Sequence, residues 1–426
     1  MFKFTICALV FLEFILFKYN AQIPQNAMRI DSIGVLNSSA LSSYYNALNK
    51  ISVESPIHIV CIGDSHLQAG MLSDSLRKYL QKQFGNAGRG LCFPYALAKT
   101  NGSKDIKSYS AGAFQKHVIT DHHLNTKCKV GVSGYSIENT SNTGYVYIAT
   151  HFNYDSLKIL GHAGIKAVSI DTNYLNGKDT FRKVLIIIKK GDSWFKITKR
   201  YKITKAEIIK QNPKYKTLKL KPGMRIYLKV KTKSVGLKTE GPSDSLICLQ
   251  MNQNAVLNGL YFTNTHPGIR LSSIGVNGAT MKKYLNHPEF FNALQELHPN
   301  LIVLWFGTNE SYAKYSPEVF MNDLIQMKSK IKALNPNASI LVITPPLSLL
   351  KKNKPNIFIN TYSERITSLM IEQDYAVISL YEFLKLKGGM PFLKREQLIA
   401  KDNVHYTQKG YTYLAQLIYK GLLLTP

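Results

Sequence analysis

Pro56-Ile-His-Ile-Val-Cys-Ile-Gly-Asp-Ser-His66 is a short apolar run that ends in Gly63, Asp64 and Ser65. Ile57 to Ile62 read as a buried strand of a parallel sheet, because a strand covered on both faces shows continuous rather than alternating apolar residues. Gly63 lets the backbone turn sharply where that strand stops. Beyond it, Leu72, Leu76, Tyr79, Leu80 and Phe84 recur at helical spacing, and Gly85 stands where a helix would end. The pattern predicts strand, turn and helix, with Ser65 at the carboxyl end of the strand, the edge at which open α/β sheets bind ligands. By itself the tripeptide also fits an ordinary turn, and Gly-Asp-Ser recurs at 191–193.

The same rhythm returns after Thr265. Leu301 to Trp305 is a strand ending in Phe306-Gly-Thr-Asn-Glu310, and Ser316 and Pro317 supply the cap and first turn of a helix reaching about Leu334. Ile340 to Ile343 and Tyr375 to Leu380 read as strands; Pro288 opens one helix, and Ile357 to Ile371 and Tyr411 to Leu424 read as two more. Alternating strands and helices predict an α/β domain whose parallel sheet is covered on both faces.

Between these halves the pattern changes. Gly85 to Gly90 and Lys99 to Ser110 read as a long loop region. From about Lys129, short alternating pieces such as Gly144 to Ile148, Ile165 to Ile170 and Ser245 to Leu249 predict a small β-sandwich or barrel inserted in the α/β domain. Inside that insert, Lys190-Gly-Asp-Ser193 opens a run with Ile197 and Tyr201, Thr204 caps a helix through Ile208 and Ile209, Asn212-Pro213 ends it, and Leu220-Lys-Pro-Gly223 turns into a strand. This strand, two short helices and a strand resemble a LysM module, which implies binding to glycans containing N-acetylglucosamine. The expected division is a signal segment at 1–21, a first α/β part at 22–128, an inserted β-domain at 129–265 with the LysM-like module at 185–232, and a second α/β part at 266–426.

The 426 residues, 45% of them hydrophobic, suffice for two or three packed domains and exclude a disordered chain. Met1 to Lys3 and the apolar run Phe4 to Phe17 read as a secretory signal cleaved after Tyr19-Asn-Ala21, with Glu13 as an awkward residue inside it; an uncleaved anchor is the alternative. The run is short of the roughly 20 residues a membrane span needs. Cys61, Cys92, Cys128 and Cys248 have no Cys-x-x-Cys spacing, which speaks against a zinc cluster. Cys61 reads as a buried strand residue, and a bridge between Cys128 and Cys248 is open in an exported chain. His117, His122 and His123 lack a spaced carboxylate and read as loop residues rather than metal ligands.

The formal charge of +28 is uneven: Lys183 to Lys238 hold 18 Lys and Arg against Asp192 and Glu207. An export signal turns that basic stretch away from nucleic acid and towards an anionic envelope polymer or lipid surface, with a solvated, merely solubilising face as the alternative.

Five elements fall at strand ends or loops: Ser65, Gly278, Asn309, and Asp402 with His405 in Asp-Asn-Val-His-Tyr406. Acyl transfer needs a nucleophile, a base, a group that orients the base, and oxyanion donors. Asp and His three apart in a turn can point the same way, so Asp402 could hold Nδ1 and leave Nε2 to act on Ser65. With Gly-Asp-Ser, Gly278 in Val276-Asn-Gly-Ala-Thr280, Asn309 in Gly307-Thr-Asn-Glu310 and the C-terminal Asp-x-x-His, the chain resembles the SGNH, or GDSL, hydrolase superfamily. The resemblance implies a flavodoxin-like sheet, Ser65 as nucleophile, His405 as base, Asp402 as its orienter, and an oxyanion hole from the Ser65 and Gly278 amides and the Asn309 side chain. It implies no cofactor and no metal.

Glu310 stands where the family more often has Asp, His66 where it has Leu, and Ser65 to Gly278 is a long gap. The early Gly-Asp-Ser-His, the inserted β-domain and Ser-Ile-Gly-Val-Asn-Gly-Ala resemble the peptidoglycan O-acetylesterases of this superfamily. The implied function is an exported esterase acting on acetylated cell-wall glycan. An O-acetyltransferase or another carbohydrate acetylesterase or lipase with the same triad stays open, as does a non-catalytic peptidoglycan-binding protein.

Overall fold

The computed structural model describes residues 28–29, 32–121, 130–162, 164–168, 180–189, 191–201, 203–213, 220–232 and 245–423. The expected signal segment, Cys128, His122 and His123 lie outside them.

Five strands form a parallel sheet: β1 (Ile57–Gly63), β2 (Ile269–Gly275), β3 (Leu301–Trp305), β4 (Ser339–Ile343) and β5 (Ala376–Ile378). Their order is β2-β1-β3-β4-β5, all parallel, which is the flavodoxin-like arrangement. Every residue of β1, β3, β4 and β5 is buried, the reason they read as unbroken apolar runs.

Successive side chains still leave a strand on opposite faces. Ile59, Cys61, Val303, Trp305, Leu341 and Ile343 enter one core with Leu72, Leu76 and Leu80 of helix Met71–Phe84 and Leu414 and Ile418 of helix Gln408–Leu423. Val60, Ile62, Ile302, Leu304, Ile340 and Val342 enter the other, with Phe320, Leu324 and Met327 of helix Pro317–Leu334 and Tyr362 of helix Ile357–Ser368. The strand order reverses between β1 and β3, so the crevice beyond their carboxyl ends is where such a sheet takes a ligand.

The insert is two antiparallel sheets. One runs Ile165–Val168, Ser245–Asn252, Thr143–Thr150, Ile106–Ala111; the other runs Gly90–Cys92, Val256–Thr263, Tyr135–Asn139, Phe114–Val118, with Ser156–Gly161 also paired to Val256–Thr263. Val146, Ile148, Leu249 and Met251 from one sheet meet Leu257, Leu260 and Phe262 from the other, which makes a sandwich. Two expectations are corrected here. The region read as a long loop contains two strands, and the β-layer opens at Gly90 rather than at 129, because Leu91 and Ser108 are held in sheet register by Tyr261 and Ile148.

His117, read as a loop residue, lies on a strand with Nε2 2.9 Å from Glu138. Leu91, Phe93, Val132, Tyr135 and Ile137 join the same core as β1 and β3, so the sandwich is fused to the α/β domain rather than tethered to it.

Within the insert, strands Thr180–Ile187 and Arg225–Thr232 pair antiparallel around helices Trp194–Tyr201 and Lys205–Gln211. Ile188, Ile197, Ile208, Ile226 and Leu228 form its small core. Thr204 and Glu207 make a reciprocal capping box at the second helix. Asn212 then stitches that helix to the last strand, donating to the carbonyls of Ile208 and Tyr227 and accepting the Tyr227 amide at 2.8 Å. Cys61, Cys92 and Cys248 are buried free thiols. Among the described residues no helix is long and apolar enough to cross a membrane.

Candidate active site

β1 ends in a turn with no spare room. A Cβ on Gly63 would sit 2.4 Å from the Trp305 carbonyl oxygen, so the chain passes from β1 beside β3 only as glycine. Asp64 caps the short helix Ser65–Gln68 by accepting the His66 amide at 2.9 Å. Burial pushes the Asp64 carboxyl up to about 8 against that bond. Ser65 therefore starts a helix at the sheet's carboxyl edge.

Ser65 Oγ lies 2.9 Å from His405 Nε2, and His405 Nδ1 lies 2.7 Å from Asp402 Oδ2. The other Asp402 oxygen accepts the amides of Val404 and His405, both at 3.0 Å. Partial burial works to raise this carboxyl, but the His405 ring and the two amides outweigh it and hold it below the usual carboxylate range. An ionised Asp402 keeps the proton on Nδ1, which leaves Nε2 as an acceptor towards the serine hydroxyl. The loop is braced from outside: the Leu349 amide donates to Asn403 O at 2.8 Å, and Asn403 Nδ2 donates to Asn353 at 2.9 Å.

Gly278 follows β2 with φ +75, a conformation that glycine adopts freely, and nothing lies within 4 Å of where its Cβ would be. Asn309 follows β3; its Nδ2 donates one bond, 2.8 Å, to Ala279 O, which orients the amide and leaves the second N–H for the cleft. Glu310 explains its own departure from the shorter Asp. One carboxylate oxygen accepts the Met281 amide at 2.9 Å and the other the Gly307 amide at 3.0 Å, so this side chain ties the loops after β2 and β3 together. It is fully buried, and burial pushes it up to about 7 despite those amides.

His66 is packed behind the pair. It contacts Tyr411 Oη through Nδ1 at 3.0 Å and Thr308 Oγ1 through Nε2 at 3.1 Å, and stacks on Trp305. Burial pushes its imidazole down to about 3, so it is a neutral polar strut.

Ser65, Gly278, Asn309 and His405 all line one cleft of about 460 Å³, together with Asn101, Asn277, Tyr312 and Tyr411. Asp402 stands directly behind His405. Sequence reasoning passed over Gln68, Tyr135 and Asn277, whose hydrogen bonds support this cleft; the one available signal was a glutamine three residues after Ser65, on the same helical turn. Among the described residues no group of three His, Cys, Asp or Glu is placed to hold a metal ion.

Residues 244–413 match the model of the GDSL-like lipase/acylhydrolase family, and residues 186–229 match the LysM domain. The first range contains Gly278, Asn309, Asp402 and His405 but not Ser65. A solved peptidoglycan O-acetylesterase superposes with a TM-score of 0.62 at 18% identity, covering 91% of this chain and 98% of that one. A lipase/acylhydrolase from Enterococcus faecalis matches 36% of this chain and 76% of its own at 19% identity, with a TM-score of 0.31. Comparison with curated proteins finds no match. The chain thus has the SGNH hydrolase fold and carries a GDSL-like acylhydrolase domain, the class of domain that cleaves ester bonds, together with a LysM domain.

Proposed function

We propose that this chain is an exported serine esterase that removes O-acetyl groups from cell-wall glycan, peptidoglycan above all. The observation that carries the reading is the unbroken Ser65–His405–Asp402 chain of hydrogen bonds, 2.9 and 2.7 Å, at a cleft that Gly278 and Asn309 also face. His405 Nε2 takes the Ser65 proton as Oγ attacks the acetyl carbonyl carbon. The carbonyl oxygen becomes an oxyanion held by the amides of Ser65 and Gly278 and by Asn309 Nδ2. Collapse breaks the bond to the sugar oxygen, which leaves with the proton from His405, and Ser65 stays acetylated. A water, giving a proton to His405, then attacks the acyl group; acetate departs and Ser65 recovers its proton.

The His405 and Asp402 side chains are 42% and 50% exposed, which lets water reach the acyl-enzyme. The LysM domain and the likeness to a peptidoglycan O-acetylesterase support the substrate class. The basic stretch from Lys183 to Lys238 supports a further electrostatic hold on an anionic envelope surface. The test is acetate release from O-acetylated and chemically de-acetylated peptidoglycan. Release from the first alone, absent in Ser65→Ala, is expected; equal release by wild type and Ser65→Ala would overturn the reading.

A further inference from the structure

Gln68 is 2% exposed and sits one helical turn after Ser65. Its Oε1 accepts two donors: the Asn277 amide at 2.6 Å and the Tyr135 hydroxyl at 2.8 Å. Its Nε2 faces Thr100 Oγ1 at 2.8 Å and the backbone and side-chain oxygens of Asn101, both at 3.0 Å. One buried amide therefore joins the serine helix, the loop that carries Gly278, the wall of the cleft at Asn101, and a tyrosine of the inserted sandwich. The end of β2 is pressed onto the same helix, since a Cβ on Gly275 would fall 2.2 Å from Gln68 N. Tyr135 is itself clamped, stacked on Phe93 at 5.5 Å between ring centres and edge-on to Tyr95 at 5.2 Å. Tyr95 Oη in turn donates to Gly275 O at 3.4 Å.

We infer that Gln68 is the positioning residue of the oxyanion loop and that the inserted β-domain, through Tyr135, completes that loop. Asn277 precedes Gly278 directly, so holding the Asn277 N–H fixes the peptide plane adjoining the one that carries the Gly278 N–H. Such donors stabilise a transition state only when they are already in place before charge develops. The insert is on this view a part of the catalytic architecture as well as a carrier of glycan-binding modules. The inference rests on the esterase reading of the same cleft.

The test uses the full chain with a chromogenic acetyl ester and a small boronic acid, which forms a tetrahedral adduct on an activated serine. Removal of a whole oxyanion donor costs about 10²- to 10³-fold in kcat, so Gln68→Met, which only releases one, is expected to lower kcat about 30-fold. KM should stay within about twofold, boronate affinity should fall by a factor similar to kcat, and the midpoint of the pH–rate profile should not move. Tyr135→Phe keeps the ring packing and removes one donor; it is expected to lower kcat about threefold with the same split, and it decides the matter if Gln68→Met does not fold. Wild-type kcat in both variants would overturn the inference. So would a loss of kcat with unchanged boronate affinity and a shifted pH profile, the signature of a general structural role. Inertness of the wild type, matched by Ser65→Ala, would instead remove the esterase reading itself.

Discussion

Among the described residues, the hydrogen bonds to the Asp402 carboxylate come from within three residues, in a loop where Asp402 and His405 stand half in solvent. Across the cleft, Gly278 and Asn309 are held by buried groups drawn from far along the chain: Asn277 by Gln68, 209 residues away, and Met281 by Glu310, 29 residues away. The two sides have different tasks. An acid–base pair must exchange protons and meet water, so a local, wet loop serves it. Oxyanion donors must stay fixed while charge grows, and buried, distant anchors such as Gln68 and Glu310 give them that rigidity although Gly278 itself is exposed.

The sharpest way to break this contrast is on the wet side. Ser65→Ala and His405→Ala should each lower kcat on a small acetyl ester by about 10⁴-fold or more, because members of a serine triad act as a unit; a loss of under tenfold by steady-state assay would remove the triad. On the side held by distant anchors, Asn309→Ala should cost about 10² to 10³ in kcat, or roughly 2.7 to 4 kcal/mol, with the Ser65 hydroxyl and His405 still in contact. The pH dependence of stability sharpens the contrast further. Burial raises Glu310 from 4.5 to about 7, so between those values the folded carboxyl holds a proton that the unfolded one has lost. Stability therefore falls as pH rises through that window. Thermal melting of Glu310→Gln from pH 5 to 7 should show a flatter slope than wild type, and an unchanged slope would place the charge elsewhere.

Excision of Val184 to Val235 should have the smallest kinetic effect. Thr180 pairs with Thr232, so the ends of the module lie side by side, and none of its described residues borders the cleft. Small-ester kcat should stay within about twofold while co-sedimentation with insoluble peptidoglycan weakens.

This division also sets what a reader of the sequence can see. Asp402 and His405 show themselves by a three-residue spacing, and Ser65 by an apolar run broken at Gly63. Alternation within β1 and β3 is hidden because both faces are covered, yet their continuous apolar character marks them as core strands. Asn212 in Asn-Pro and Thr204 as a helix cap make the LysM module legible for the same local reason.

Gln68 carries only a faint local mark, its place three residues after Ser65: a glutamine inside a helix is unremarkable until Asn277 and Tyr135 arrive beside it. Glu310 looked like a departure because its use, reaching two amides on different loops, exists only in three dimensions. Strand Ile106–Ala111 reads as loop because it is the edge of its sheet, with Lys107 and Tyr109 exposed, and Gly90–Cys92 is too short to set a period.

Labelling with a serine-directed fluorophosphonate, followed by mass spectrometry of the peptides, tests the central claim most directly. The account predicts a single adduct, on Ser65, that is lost in His405→Ala and slowed in Asn309→Ala. An adduct on another residue, or equal labelling of Ser65 with and without His405, would contradict it.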